Sequence, residues 1–281
     1  MHTLDHELLR CFVAVAENGS FTSAGDKLGL TQPGVSVRIR KLEDRLQKPL
    51  FLREKRAISL TNDGEVLLQY ARQMLNLNQE IIHYFNSPDM SGILNVGIAD
   101  YVAHTTLQPL LLHFRKCFPK VKLKIVIGLG IDLLPKFEQG KLDVVVSGIN
   151  ETHLPSRTLY SEPLIWCAAH DWEKPEDGPI ELLSLPEPCS HRQAGIDAMK
   201  TTHLNWEQTY TSSNISSIKA AISAGLGVAI LPQSVIDDTI KILDDKDGFP
   251  PLPHNKIGAF LKSEDNLIAN SFLDFYIDFR G

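Results

Sequence analysis

Residues 20–43 read SFTSAGDKLGLTQPGVSVRIRKLE, and their punctuation predicts two helices meeting at a tight turn. Ser20 and Thr22 stand at the entry of a short helix through Ala24 and Leu28. Gly29 then breaks the chain, since glycine enters the left-handed conformation at little cost. Thr31 stands where a helix N-cap belongs, and Pro33 follows at an early position where its missing N–H removes no hydrogen bond. The second helix carries Val35, Ile39, Leu42 and Leu46 on one face by the 3.6-residue period. Ser36, Arg38, Arg40, Lys41 and Arg45 populate its outer faces.

The flanks extend this unit. Upstream, Leu9, Phe12, Val13 and Ala16 recur at i, i+3, i+4 and i+7, which predicts a first helix over 5–18 with one buried stripe. Downstream, FLREKRAISLT (51–61) has the pattern of a small hairpin. Phe51 and Leu52 lead out, Arg53, Lys55 and Arg56 form a basic tip, and Ile58 and Leu60 return. The whole chain carries a net charge of −6, which taken alone disfavours nucleic acid. Its distribution reverses that conclusion. Between Thr31 and Arg56 eight Lys and Arg oppose three acids, a local charge of +5, and phosphates respond to the local patch. A helix-turn-helix followed by a basic hairpin is a winged helix. Its second helix enters the major groove with its N-terminal residues nearest the base edges. Double-stranded DNA is therefore the expected partner.

A long helix is predicted next, over 61–88. Thr61 caps it, and Asp63 and Glu65 suit the positive end of its dipole. Leu67, Tyr70, Met74, Leu77, Ile81 and Tyr84 follow at alternating spacings of three and four, a heptad seam. A helix of that span is roughly 42 Å long, more than a compact head of residues 1–60 can cover. Self-pairing of two chains along the seam is the expected use, and it supplies the two-fold symmetry that a palindromic operator requires.

SPDMSG (87–92) is a turn-rich hinge, after which the pattern changes. Strands are predicted at 93–99, 121–128 and 142–148 with helices between them, the alternation that builds a parallel sheet. A similar unit follows, with strands at 163–170 and 227–232 and helices near 191–201 and through Ile218 and Ala221. The reading is an α/β effector domain over 92–281 with a first lobe of about 92–159 plus 263–281 and a second of about 160–262. Ligands in such folds bind where the carboxyl ends of the strands face a cleft. Two helix entries in the second lobe, Cys189-Ser190-His191-Arg192 and Ser212-Ser213-Asn214, offer free backbone N–H groups suited to a carboxylate or phosphate.

Other classes lack their signatures. A hydrophobic content of 43% and a charged content of 22% describe a globular chain, and no apolar run reaches the length of a membrane span. The start MHTLDHELLR carries acids and leads directly into an amphipathic helix, unlike a secretory signal, so a cytoplasmic protein is expected. The four cysteines at 11, 117, 167 and 189 have no paired spacing, and the ten histidines are scattered, so neither a disulfide framework nor a metal site is expected. No nucleophile elbow, P-loop, dinucleotide fingerprint or HExxH motif is present, so neither an enzyme nor a cofactor is expected. Two alternatives stay open. A solute-binding protein accounts for the lobes but leaves the basic head unexplained, and Cys189 at a helix entry suits a redox sensor.

The stretch from ELLRCFVAVAENGSFTSAGDKLGLTQPGVSVRIRKLE through PLFLR to SLTNDG resembles the N-terminal region of LysR-type transcriptional regulators. FPKVKL, LPKFEQGKLDVVVSG and AGLGVAILP extend the resemblance through the second half, and PEPCSHR resembles a subset that includes motility and exoenzyme regulators. The resemblance implies a winged helix, a linker helix and a two-lobed domain like those of periplasmic binding proteins. It also implies homodimers joined into a homotetramer, a small-molecule effector and RNA polymerase as a partner. In the head it implies DNA contacts by Thr31, Gln32, Pro33, Ser36, Arg38 and Arg40, with Arg53, Lys55 and Arg56 on the wing. In the effector domain it points to Asp100, Tyr101 and Val102, to Gly128, Leu129 and Gly130, and to Ser147 and Gly148. Across the cleft it points to Cys189, Ser190, Arg192, Ser212 and Ser213. Family members often carry Arg directly after the recognition-helix serine, where this chain has Val37.

Overall fold

The computed structural model describes residues 4–53, 58–86, 89–149 and 152–278. Lys55 and Arg56 of the expected wing tip lie outside them, as do the side chains of Arg53, Thr105 and Thr106. The chain separates into two compact units at Ser87–Pro88.

The first unit contains α1 (His6–Asn18), α2 (Phe21–Leu28), α3 (Gln32–Leu46), β1 (Phe51–Arg53), β2 (Ile58–Leu60) and α4 (Asn62–Asn86). Each helix entry is built as its sequence requires. Asp5 accepts from the Glu7 N–H at 3.1 Å, Ser20 from Ser23 at 3.3 Å, and Thr31 from Gly34 at 3.3 Å. Gly29 ends α2 at a φ of 65°. Gly25 shapes the same turn differently: its carbonyl accepts from the Leu30 N–H at 2.9 Å, so the two backbones lie in close contact. In α1 the buried residues are Leu8, Leu9, Cys11, Phe12, Ala14 and Val15, while Val13 and Ala16 are half-buried. The helix packs on α2, α3 and α4 at once, so it buries a wider arc than the single expected stripe. The hairpin β1–β2 is antiparallel with Phe51 opposite Leu60. Its root is held by Phe51, whose ring lies 5.4 Å from Phe12 and 5.9 Å from Phe21.

The second unit begins with β3 (Gly92–Ala99), α5 (Asp100–Cys117), β4 (Val121–Gly128), α6 (Gly130–Glu138) and β5 (Val144–Gly148). Strand β6 (Arg157–Ala169) then leads to β7 (Ile180–Ser184), α7 (Ser190–Met199), β8 (Trp206–Thr211), α8 (Ile215–Ser223) and β9 (Val228–Pro232). The chain closes with β10 (Ile240–Leu243), β11 (His254–Leu261) and α9 (Leu267–Asp278). Strand β3 pairs in parallel with β4 and β5, and β7 pairs in parallel with β8 and β9, as crossover helices require. The two groups join through β6 and β11, which are antiparallel to each other.

These joining strands differ from the expected layout. Strand β6 begins at Arg157, earlier than expected, and pairs first with β11 and then with β9 and β10. Residues Ile257–Leu261 of β11 pair with β5, so this strand, expected in the second lobe, belongs partly to the first. A crossing strand has hydrogen-bonding partners on both sides of the hinge, and a boundary drawn by sequence position cuts through it. The lobes are packed shut. One apolar core includes Leu110 and Phe114 of α5, Ile215 and Ile218 of α8, and Leu231 of β9.

Gly25 offers a direct test of the head. A Cβ there would lie 2.7 Å from the Leu30 carbonyl oxygen, which is backbone and has little room to yield. Gly25→Ala is expected to lower the stability of the head by about 1–3 kcal/mol and to shift α3. Both effects are readable by thermal melting and by DNA affinity.

Candidate DNA-reading face, pairing seam and interlobe cleft

In the head, α3 buries Val35, Ile39 and Leu42 completely. Gln32, Pro33, Val37, Arg40 and Lys41 are exposed on the other side, with Ser36 half-buried at its edge. Gln32 Nε2 donates to Ser36 Oγ at 2.9 Å, which holds the first polar pair of this face together. Arg38 lies on the flank, where its guanidinium donates to the Gly34 carbonyl at 3.4 Å. Of the residues that the sequence singled out, Thr31 serves as the cap, and Gln32, Pro33, Ser36 and Arg40 share the outward side.

On α4, Leu67 packs into the head core with Leu68, Ala71 and Leu75. The outward seam therefore begins one position later than expected. Tyr70, Met74, Leu77, Ile81 and Tyr84 are between 47% and 63% exposed. Val66, Ile82 and Phe85, outside the strict heptad spacing, extend the same apolar surface. A contiguous exposed patch of this kind marks an interaction surface.

In the second unit the carboxyl ends of β3, β4 and β5 place Asp100–Val102, Gly128–Gly130 and Ser147–Gly148 along one edge. In the second lobe β7 and β8 end together at Ser184 and Thr211, which places the entries of α7 and α8 side by side. The two edges meet. The Asp100 carboxylate accepts from the Ile215 N–H at 2.7 Å and from Asn214 Nδ2 at 3.4 Å. An internal carboxylate thus sits on the first turn of α8, the place expected to receive a ligand anion. The Tyr101 ring meets that of His191 edge-on at 4.6 Å, and Tyr101 Oη accepts from the Gly148 N–H at 2.8 Å.

Other expected contacts are engaged or turned away. Val102 is buried in the apolar core. Arg192 pairs with Glu187 and donates to Gln208 Oε1 through Nε at 2.9 Å and Nη2 at 2.7 Å. Lys219 of α8 donates to the Val235 carbonyl at 3.0 Å and pairs with Asp237, whose carboxyl it holds well below the usual range. Ser147 alternates with Gly148 and so faces the side of Val145 and Leu133, away from Tyr101. Ser212 donates its N–H to the Ser184 carbonyl at 3.1 Å, and Ser213 is exposed. Cys189 is a half-buried thiol outside any disulfide at the entry of α7, and burial raises the pKa of the other three thiols.

Two residues at the crossing, Asn255 and Glu162, were not among those singled out, and His191 was named only as part of a helix entry. His191 is 3% exposed, Asn255 of β11 is 1% exposed, and Glu162 of β6 stands directly opposite Asn255. Among the described residues, neither ring nitrogen of His191 nor either amide atom of Asn255 has a partner at good hydrogen-bonding geometry. Glu162 Oε2 accepts from the Ser234 N–H at 3.1 Å, and Oε1 is without a partner. Burial pushes the His191 imidazole down to about 4, and Asn255 alongside pulls it weakly the other way. Asn255 sits in the polar run His254-Asn255-Lys256, so nothing in the sequence marks it, and its partners lie far away along the chain.

A winged helix-turn-helix head attached to a two-lobed α/β domain defines a DNA-binding regulator controlled by a small molecule. Residues 6–65 match the family model "Bacterial regulatory helix-turn-helix protein, lysR family". Residues 88–275 match "LysR substrate binding domain". The chain belongs to the LysR family of transcriptional regulators. It is similar to the HTH-type transcriptional regulator PecT of Dickeya dadantii (strain 3937), with 31% identity over 90% of this chain and 80% of that one. Among solved structures it resembles CrgA, a LysR-type regulator from Neisseria meningitidis, with a TM-score of 0.57, 22% identity and coverage of 99% and 100%. The Vibrio fischeri DarR structure, solved in complex with DNA, is similar at a TM-score of 0.56 and 18% identity, covering 98% of this chain and 99% of that one. These matches favour the regulator over a free-standing solute-binding protein or a redox sensor. No helix among the described residues is long and apolar enough to cross a membrane.

His191 makes the cleft sensitive to pH. Its ring titrates near 6.5 in an unfolded chain and near 4 here, so between these values the unfolded chain binds the extra proton. The stability gained by keeping the ring neutral is therefore complete above about pH 6.5 and is lost as pH falls towards 4. Denaturant unfolding of the effector unit at pH 7.5 and 4.5 should show wild type losing about 2–3 kcal/mol more than His191→Leu.

Proposed function

We propose that this regulator binds its operator as a dimer joined along α4 and that a polar effector acts at the crossing of β6 and β11. The carrying observation is the bridged cleft, where Asp100 and Tyr101 of one lobe meet Ile215 and His191 of the other. On the DNA side, Gln32, Pro33, Ser36 and Arg40 face the major groove. Arg38 on the flank, and Arg53, Lys55 and Arg56 of the wing, take phosphates. Pairing of α4 with the same helix of a second copy covers the exposed seam and sets two recognition helices about one DNA turn (~34 Å) apart. Two such dimers join through their effector units, and RNA polymerase reads the outcome. The chain performs no catalysis of its own, and it works in the cytoplasm, where its DNA is.

The electrostatics of the cleft bear on the effector. Asp100 already occupies the entry of α8, and Arg192 and Lys219 are paired with other acids. Among the described residues at the crossing, the groups with unmet hydrogen-bonding capacity are the His191 ring, in only weak contact with Asn255, the Asn255 amide and Glu162 Oε1. Each buried polar atom left without a partner costs about 1–3 kcal/mol, so a ligand that presents hydrogen-bond donors as well as acceptors gains by satisfying them. Gly128–Gly130, Cys189, Ser190, Ser212 and Ser213 line the approaches.

Two measurements test this reading. Leu77→Glu combined with Ile81→Glu puts like charges into the seam. Sedimentation should show the dimer dissociating, with operator affinity falling at least tenfold, and a variant that stays dimeric would exclude α4 as the interface. Asp100→Asn removes the charge from the hydrogen bond to Ile215. Hydrogen exchange at residues 215–217 should accelerate roughly tenfold, matching about 1–2 kcal/mol for a charge-assisted bond. Unchanged exchange would show that Asp100 does not hold the lobes together.

A further inference from the structure

The outward face of α3 carries an apolar residue that the head itself does not account for. Val37 is 63% exposed, while Val35, Ile39 and Leu42 on the opposite side are fully buried. At 3.6 residues per turn, Val37 points almost directly away from that stripe. Pro33, one turn earlier, is exposed on the same side. Their neighbours are polar or charged: Gln32 bonded to Ser36, then Arg40 and Lys41. A β-branched residue is a mediocre helix former, and its methyl groups here gain nothing from packing within the head. Val37 does, however, stand at the centre of the face that enters the groove.

The only methyl group on the major-groove base edges is the C5 methyl of thymine, set among hydrogen-bond donors and acceptors. We propose that Val37 is a specificity-determining residue that reads a thymine methyl in each half-site of the operator. Guanine at the same place would leave its O6 and N7 acceptors facing an aliphatic side chain, desolvated and without a donor. Arg40 and the Gln32–Ser36 pair supply the polar contacts on either side. Val37 therefore sets which base is accepted at that step, and the polar groups fix position and orientation. The inference rests on the reading of α3 as the groove helix.

The test uses the full-length protein. Preferred sites are first selected from a randomised DNA pool, and each thymine of the selected half-site is then replaced in turn by deoxyuridine, which removes only the methyl. Binding should weaken about three- to fivefold at one thymine per half-site, the effect of one buried methyl. Val37→Ala should show little or no penalty at that same thymine, and Val37→Arg, selected afresh, should prefer guanine there. Because the side chain is exposed, both variants should melt as the wild type does. Sequence-specific binding with no deoxyuridine penalty that depends on Val37 overturns the inference and leaves the groove-helix reading intact. A protein that selects no sequence at all overturns the groove-helix reading itself.

Discussion

The effector unit depends on one backbone constraint, the antiparallel pairing of β6 with β11. Strand β6 serves one lobe with its first half and the other with its second, and β11 returns alongside it to finish the sheet on β5. Two connected strands let the lobes rotate but not separate, so the carboxyl ends of the two parallel sheets must face each other. The same pairing sets Glu162 directly opposite Asn255, and the fold brings Asn255 beside His191. A register shift at Ile257–Gly258 lies where β5 joins β11 on its other side, while the pairing with β6 continues to Ala259. Polar groups there are buried by the crossing itself, so any change in the lobe angle alters their surroundings. The hinge and the polar cluster are parts of one arrangement.

Much of this was legible in the sequence where the determinants are local. Thr31, Pro33 and Gly29 specify a helix start and stop within a few residues of themselves, and the structure places both as expected. The alternation of apolar strands with amphipathic helices over 93–148 reports a parallel sheet because each crossover fits within a short stretch. The crossing strands were harder to read. The partners of β11 lie about a hundred residues upstream, and the segment GAFL shows nothing by which to choose between neighbours. Leu67 was misplaced for a related reason. A heptad position facing its own head and one facing a second chain have the same spacing, and only tertiary packing separates them.

The sequence pointed to helix entries and strand ends, but not to the groups of the chain itself that occupy them. A helix entry carries positive potential, but potential says nothing about which anion fills it. Asp100, anticipated as a ligand contact, supplies that anion from within the chain. Arg192 was similarly spoken for by Glu187 and Gln208, which lie on either side of it in sequence. His191 was noticed only as part of a helix entry, and Asn255 went unselected because it belongs to no recognisable pattern. Their importance comes from burial without good partners, which is a property of the folded cleft.

These features set the energetic scale of switching. A hydrogen bond to a charged group contributes about 1.5–3 kcal/mol, so the Asp100 contact alone biases the closed lobes by roughly ten- to a hundredfold. An effector shifts that balance only through its difference in affinity between the two arrangements, however tightly it binds. A ligand that satisfies His191 and Asn255 in the closed form adds to the Asp100 contact. One that needs the α8 entry must first displace a carboxylate tethered within the same molecule, and tethering gives that competitor a high effective concentration. Closure and the exclusion of a ligand anion therefore follow from the same hydrogen bond. Removing the charge at Asp100 should relax both together, whereas loss of His191 should leave the anion position as it stands.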